Sequence, residues 1–371
     1  MSGTSAWLPL REELRGIEPY GAPQLSKAVA PVQLNVNENP YGPSPACIED
    51  IASSAAEAAR TLNRYPDREF VALREALAAY LSRDSAESID PAQVWAANGS
   101  NEVMLQLLQA FGGPGRTAVS FAPTYSMYPE YARDTNTRWV AGHRAEDFSL
   151  DLNAARELVQ REQPSVVLLP SPNNPTGTAL PPAAVAVLCE AIGDAGIVVV
   201  DEAYGEFRRA GVPSALEMLP RYRNLVITRT MSKAFAGAGL RLGYLAADPE
   251  ICDAIRVVRL PYHLSAVTQA TALAALRHAP ELLARVEDLK GERDGLVDWL
   301  RAQGYDVADS DANFCLFGRF AARHAVWQGL LDRGVLIRET GPQGWLRVSV
   351  GTPQEMAAFR AALTEVKGER A

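Results

Sequence analysis

The stretch Thr230-Met-Ser-Lys-Ala-Phe-Ala-Gly-Ala-Gly-Leu-Arg-Leu-Gly243 gathers one lysine, two hydroxyls and one arginine in a small-residue loop. It follows the apolar run Leu225-Val-Ile-Thr228, which reads as a buried strand. A lysine just past such a strand, Lys233, sits at the sheet edge where open α/β folds bind ligands. Gly237, Gly239 and Gly243 superficially suggest a dinucleotide fingerprint. The third glycine comes one position late for GxGxxG, however, and no acidic residue closes a following strand at the usual distance, so a nucleotide-binding dehydrogenase is set aside.

Outward from this loop, short apolar runs recur at 94–97, 117–121, 137–140, 166–169 and 197–200, separated by helical stretches near 125–133, 151–162 and 181–194. Continuously apolar strands alternating with helices predict a mostly parallel sheet covered on both faces. With helices over 48–59 and 69–81, this defines a large α/β/α domain at 45–260. A long helical section at 266–303 leads into alternating strand and helix pieces, a smaller α+β domain at 261–371. Residues 1–44 read as an arm with a short helix that completes the small domain and contributes to a dimer contact.

At 371 residues the chain can bury a core for two such lobes. Its net charge of -8 gives no electrostatic basis for a nucleic-acid or anionic-membrane partner, so any bound anion must be held by a local cluster of arginines and amides. Cys47, Cys189, Cys252 and Cys315 are far apart, without a CxxC pair, and are expected to be buried reduced thiols. The four histidines form no HxxxH-type pair, so no metal is expected. The opening residues lack a charged segment followed by an apolar core and a small-residue cleavage site, and no run approaches membrane-spanning length. Cytoplasm is the expected location.

Chemistry-bearing residues collect at the predicted strand ends. Val94-Trp-Ala-Ala-Asn-Gly-Ser-Asn-Glu102 reads as strand, glycine turn and helix, putting Ser100 and Asn101 at a helix N-terminus that can seat an anion. Ser171-Pro-Asn-Asn-Pro-Thr-Gly177 and Asp201-Glu-Ala-Tyr204 end two further strands. A carboxylate closing a Val-rich run is costly to bury unless a cation or donor meets it, so Asp201 requires a partner. Asn174, Asp201, Tyr204, Lys233 and Arg241 with Gly99-Ser-Asn101 are the groups needed to hold a pyridinium phosphate: an aspartate for the ring nitrogen, donors for a phenolic oxygen, hydroxyls and an arginine for phosphate, and a lysine for an aldehyde.

In these motifs the chain resembles the fold-type-I aminotransferases, which use pyridoxal 5'-phosphate. Its wording is similar to the histidinol-phosphate aminotransferase family in Leu34-Asn-Val-Asn-Glu-Asn-Pro-Tyr-Gly-Pro43, Arg64-Tyr-Pro-Asp67, Pro123-Thr-Tyr-Ser-Met-Tyr128, Ser232-Lys-Ala-Phe-Ala236, Leu336-Ile-Arg338 and Leu346-Arg-Val-Ser-Val-Gly351. The resemblance implies that Lys233 forms the Schiff base, Asp201 pairs with the pyridine nitrogen, and Asn174 and Tyr204 bond the phenolic oxygen. It implies that Tyr125 stacks on the ring and that Ser100, Asn101, Thr230, Ser232 and Arg241 hold the phosphate. Tyr65 would reach the cofactor phosphate of a neighbouring subunit, giving a homodimer with shared sites. Arg347 would take the α-carboxylate of glutamate or the phosphate of histidinol phosphate, with Arg338 assisting and Tyr20 contributing from the partner subunit. Asn37 and Asn313 are candidates to line the pocket.

The implied reaction is transamination between L-histidinol phosphate and 2-oxoglutarate, giving imidazole acetol phosphate and glutamate; in histidine biosynthesis it runs in reverse. A planar guanidinium binds carboxylate and phosphate alike, so one arginine can serve both half-reactions. An aromatic amino-acid aminotransferase and a threonine-phosphate decarboxylase remain open alternatives, because the cofactor motifs do not determine which substituent is held perpendicular to the ring.

Overall fold

The computed structural model describes residues 7, 9–19, 21, 25–26, 28–85 and 87–368. After a 3-10 turn at Glu12–Leu14 and the two-residue strand β1 (Val32–Gln33), helices α1 (Pro45–Ala59) and α2 (Val71–Ser85) precede the sheet. Its strands are β2 (Val94–Ala97), β3 (Thr117–Ala122), β4 (Arg138–His143), β5 (Val166–Pro170), β6 (Ile197–Asp201), β7 (Leu225–Thr230) and β8 (Gly243–Ala247), in the order β2-β8-β7-β6-β5-β3-β4. The pairs β7–β6, β6–β5, β5–β3 and β3–β4 are parallel, and β8 runs antiparallel to both β2 and β7. Helices α3 (Ser100–Phe111), α4 (Tyr128–Asp134), α5 (Leu152–Glu162), α6 (Pro182–Ile192) and α7 (Pro249–Val258) follow these strands along the chain. Every residue of β5, β6 and β7 is buried, as continuous Val/Ile/Leu runs require; edge strand β4 is half exposed.

Neither β8 nor α7 was anticipated, nor were the two-residue strands at Val32–Gln33 and Asp306–Val307. Gly243-Tyr-Leu-Ala-Ala247 is poor in the β-branched residues that mark a strand, and its small residues answer to a spatial neighbour instead. A Cβ on Gly243 would collide with the backbone of Ser100, so glycine lets β8 run against the start of α3. The long helical section divides at His278 into α8 (Ala266–Arg277) and α9 (Ala279–Ala302), with Pro280 in the first turn of α9, where a missing N–H costs nothing.

Beyond α9 come β9 (Asp306–Val307), β10 (Phe314–Gly318), α10 (Arg323–Asp332), β11 (Val335–Leu336), β12 (Trp345–Ser349) and α11 (Pro353–Gly368). Strands β12, β10 and β9 form an antiparallel sheet, while β1 pairs in parallel with β11. The main apolar cluster runs through the seven-stranded sheet and on to Leu289 in α9; a second begins at Leu296 in the same helix and takes in Leu34 from the arm. Helix α9 thus links the two cores. All four cysteines are buried free thiols.

Candidate functional site

At the C-terminal ends of β5, β6 and β7, where the chain leaves the sheet and backbone pairing stops, a cavity of about 500 Å³ opens toward β12 and the 35–38 loop. It is lined by Asn37, Ser100, Asn101, Tyr125, Asn174, Asp201, Tyr204, Thr230, Ser232, Lys233, Arg241, Arg338 and Arg347, which come from widely separated parts of the sequence.

The Lys233 amine donates to the carbonyl of Val36 at 3.1 Å and lies 5.9 Å from the centre of the Tyr204 ring. Burial, with Arg347 as the next cause, pulls this amine down to about 8. Asp201 accepts from the Tyr128 hydroxyl (3.1 Å), the Thr228 hydroxyl (3.2 Å) and the Ala203 N–H (3.2 Å). These donors are neutral, and burial still pushes its carboxyl up to about 6. The partners that the strand-end carboxylate required are therefore hydrogen-bond donors, and a cationic ring N–H would complete its surroundings.

The anion seat lies at the start of α3. Its N-cap, Gly99, has φ +86° and caps no amide with a side chain. A Cβ there would sit 2.5 Å from Arg241 Nη2, so glycine admits the guanidinium beside the helix start. Arg241 donates to the Ser232 hydroxyl (3.3 Å) and to the carbonyl of Ala238 (3.1 Å), both neutral acceptors; Thr230 in turn donates to Ser232 at 3.0 Å. A helix N-terminus, three hydroxyls and an arginine are the donor set of a phosphate site. Together with a low-pKa lysine and a buried carboxylate, the residues fit a pyridine aldehyde phosphate.

On the other wall, Arg347 is buried and donates to Asn174 Oδ1 at 2.6 Å and to the carbonyl of Asn35 at 2.9 Å. Arg338 and Arg347 pair through their backbones as an isolated bridge, which brings both side chains to this wall. Arg338 reaches the carbonyl of Gly21 at 3.2 Å, and its Nη1 is buried without an acceptor among the described residues. Asn37, with φ +56°, donates to the Tyr204 hydroxyl at 3.0 Å and accepts from Ser349 at 2.8 Å. Asn313 does not line the cavity: fully buried, it donates to the carbonyl of Asn37 at 3.1 Å and braces the loop from behind.

Tyr65 is also outside this cavity. It is 80% exposed and stacks on Tyr262 with centroids 4.4 Å apart. Tyr20 lies outside the described residues. Sequence reading missed Tyr128 and Thr228 as the ligands of Asp201, although both stand in stretches already singled out; a buried tyrosine hydroxyl needing an acceptor was the available signal.

The chain matches the family model for class I and II aminotransferases over residues 30–363. It belongs to that family. A histidinol-phosphate aminotransferase of Thermobifida fusca is 63% identical over 97% of this chain and 96% of its own length, and one of Burkholderia lata is 61% identical over 97% and 96%. A histidinol-phosphate aminotransferase from Sinorhizobium meliloti, solved in complex with pyridoxal 5'-phosphate, superposes with a TM-score of 0.85 at 25% identity, covering 99% of this chain and all of that one. These matches set the chain among the histidinol-phosphate aminotransferases.

Proposed function

We propose that this chain transfers the amino group between L-histidinol phosphate and 2-oxoglutarate with pyridoxal 5'-phosphate as cofactor. The observation that carries this reading is the placing of Lys233 and Asp201 on adjacent strand ends, facing two arginines across one cavity. When bound, the cofactor supplies an aldehyde for amine exchange and a protonated ring that accepts electrons from the substrate's α-carbon. Lys233 would hold the cofactor covalently and would act as the base that takes the proton from that carbon. Asp201 would hold the ring N–H, and Tyr128 and Thr228 hold Asp201. Asn174 and Tyr204 would bond the phenolic oxygen, Tyr125 would cover the ring, and Ser100, Asn101, Thr230, Ser232 and Arg241 would bind the phosphate.

Arg347 receives the carboxylate or the phosphate of the two substrates, and the buried Nη1 of Arg338 is available for a second contact. Asn37 orients Tyr204. The exposed Tyr65–Tyr262 stack supports a homodimer in which Tyr65 completes the partner's phosphate site and Tyr20 its substrate site. We read the enzyme as cytoplasmic, with the arm at 1–44, a large cofactor-binding domain at 45–260 and a small C-terminal domain at 261–371.

A substrate panel tests the assignment: histidinol phosphate, histidinol, phenylalanine and threonine phosphate, each with 2-oxoglutarate. Charge-assisted contacts contribute about 1.5–3 kcal/mol apiece, so two arginines should favour histidinol phosphate over histidinol by roughly 100-fold or more in kcat/KM. Equal efficiency with both would defeat the arginine clamp, and carbon dioxide release without a keto acid would indicate a decarboxylase. Mixing Lys233→Ala and Tyr65→Ala dimers should regenerate activity above either parent, because each heterodimer then holds one intact shared site.

A further inference from the structure

Directly behind the cofactor pocket lies a buried ionic cluster that the reaction itself does not use. Arg229, 1% exposed, sits in β7 between Thr228, which bonds Asp201, and Thr230, on the phosphate side. Strand side chains alternate, so Arg229 points to the opposite face. There its Nη2 donates to Glu202 Oε2 at 2.7 Å and Asp84 Oδ2 at 2.8 Å, its Nε to Glu202 Oε2 at 3.0 Å, and its Nη1 to Glu206 Oε1 at 3.2 Å. Glu202, 2% exposed, is the residue after Asp201. Its carboxylate also accepts from Ser214 Oγ (2.8 Å), the Ala215 N–H (2.7 Å) and Arg208 (3.2 Å). Each member of the central pair is thus covalently next to a residue that positions the cofactor.

The location of this pair gives it a use. The last backbone bond between these strands runs from the Glu202 N–H to the Thr228 carbonyl, at 2.9 Å. Past it the chains diverge, one toward Tyr204 and the other toward Lys233. Asp201 and Thr228 face each other in the final register pair, one step before the ladder ends. Ladder ends fray unless something replaces the missing pairing. The Arg229–Glu202 bridge crosses the two strands at that point, on the face away from the cavity. Gly205 shows how closely the cluster is fitted: a Cβ there would lie 3.0 Å from Arg229 Nε and 3.1 Å from Arg208 Nη1.

We infer that Arg229 and Glu202 are positioning residues that clamp the ends of β6 and β7 and so set the distance from Asp201 to the cofactor ring and from Thr230 to its phosphate. A buried pair of this kind is weak evidence for net stability, since apolar replacements of buried pairs are often neutral or better; the geometry it imposes gives it a use beyond stability. This inference rests on the proposed pyridoxal-phosphate chemistry of the same site.

The test uses Glu202→Gln, which keeps shape and loses charge, and Gly205→Ala, a milder probe that crowds the guanidinium. Both are compared with the parent protein well below the melting temperature of each. Three quantities are read: the equilibrium dissociation constant for pyridoxal 5'-phosphate, the pH midpoint of the visible absorbance of the cofactor–lysine link, and kcat against KM. The expected result is cofactor binding weaker by about tenfold or more, a midpoint displaced by about half a pH unit or more, and a fall in kcat of about tenfold with KM nearly unchanged, with Gly205→Ala showing the same pattern to a smaller degree. A lowered melting temperature with all three quantities unchanged overturns the inference, because a merely structural cluster would behave that way. If Glu202→Gln does not fold, Gly205→Ala decides alone. A parent protein that binds no pyridoxal phosphate and shows no visible band would instead defeat the reading on which the inference rests.

Discussion

The two walls of the cavity are built differently. The sheet wall takes Asp201, Thr230 and Lys233 from two adjacent parallel strands and the turns that follow them, so backbone register fixes their spacing before any side chain is considered. The opposite wall is assembled from the 35–38 loop, Arg338 and Arg347, with β1 pairing to β11 and Arg338 bridging to Arg347. On the proposed reading the rigid wall would carry the cofactor chemistry. On the same reading the composite wall would govern the choice of substrate, and a bound substrate would have to accommodate hydrogen bonds that cross the cavity, such as Arg347 to Asn174.

Substitutions on the two walls should therefore differ in kind. Lys233→Ala would remove both the proposed anchor and the proposed proton carrier, and turnover should fall by roughly 10,000-fold or more with every substrate, because proton transfer and covalent catalysis would be lost together. Borohydride should no longer fix the cofactor to the chain. A persistent covalent link would move the anchor to another lysine and break the division between the walls. Arg347→Gln should cost about 100- to 1,000-fold in kcat/KM for glutamate and histidinol phosphate alike, since truncating a buried, hydrogen-bonded charge costs about 2–5 kcal/mol. Cofactor absorbance should remain normal. Arg338→Gln, at a half-exposed position, should cost only about tenfold. Equal losses from the two arginines would mean that they act as one bidentate unit rather than as principal and assistant.

Legibility in the sequence followed the same division. The sheet wall was readable because parallel buried strands announce themselves as short apolar runs, and the residue that ends such a run is placed at the site by the fold itself. Asp201, Lys233 and Ser100 follow from that rule. What the rule could not supply was anything that depends on a neighbour in space. β8 is a strand because β2 and β7 flank it, and its glycine and alanines answer to Ser100 of α3. The ties from Tyr128 to Asp201 and from Arg229 to Glu202 link residues 73 and 27 positions apart. Asn313 looked like a pocket residue and is a brace, because the same amide can face a ligand or a loop carbonyl. On the composite wall, only resemblance singled out Arg347 and Arg338, since arginines in an α+β lobe are usually surface ion pairs. The structure then brought them together through a backbone bridge that no local pattern encodes.

A smaller effect probes the rigid wall through stability rather than rate. In the cofactor-free protein Asp201 is buried among neutral donors, with its carboxyl pushed from 3.8 up to about 6. A raised carboxyl pKa means that the folded state binds the proton more tightly than the unfolded state, so this group stabilises the fold only when protonated. No penalty exists below the unfolded value of 3.8; it grows as pH rises toward about 6 and is complete above that. A difference of about two units corresponds to about 3 kcal/mol. Asp201→Asn should therefore make the cofactor-free protein more stable at pH 8, by up to about 3 kcal/mol less whatever is lost where an amide N–H replaces an acceptor oxygen. The advantage should shrink toward zero as the pH is lowered to 4. Urea unfolding of both proteins across this range, without cofactor, measures the difference directly. Saturation with pyridoxal phosphate should reverse the order at pH 8, because the ring N–H supplies the cation that the wild-type carboxylate lacks and the amide cannot use. An unchanged order in the presence of cofactor would show that Asp201 is not the group that meets the ring.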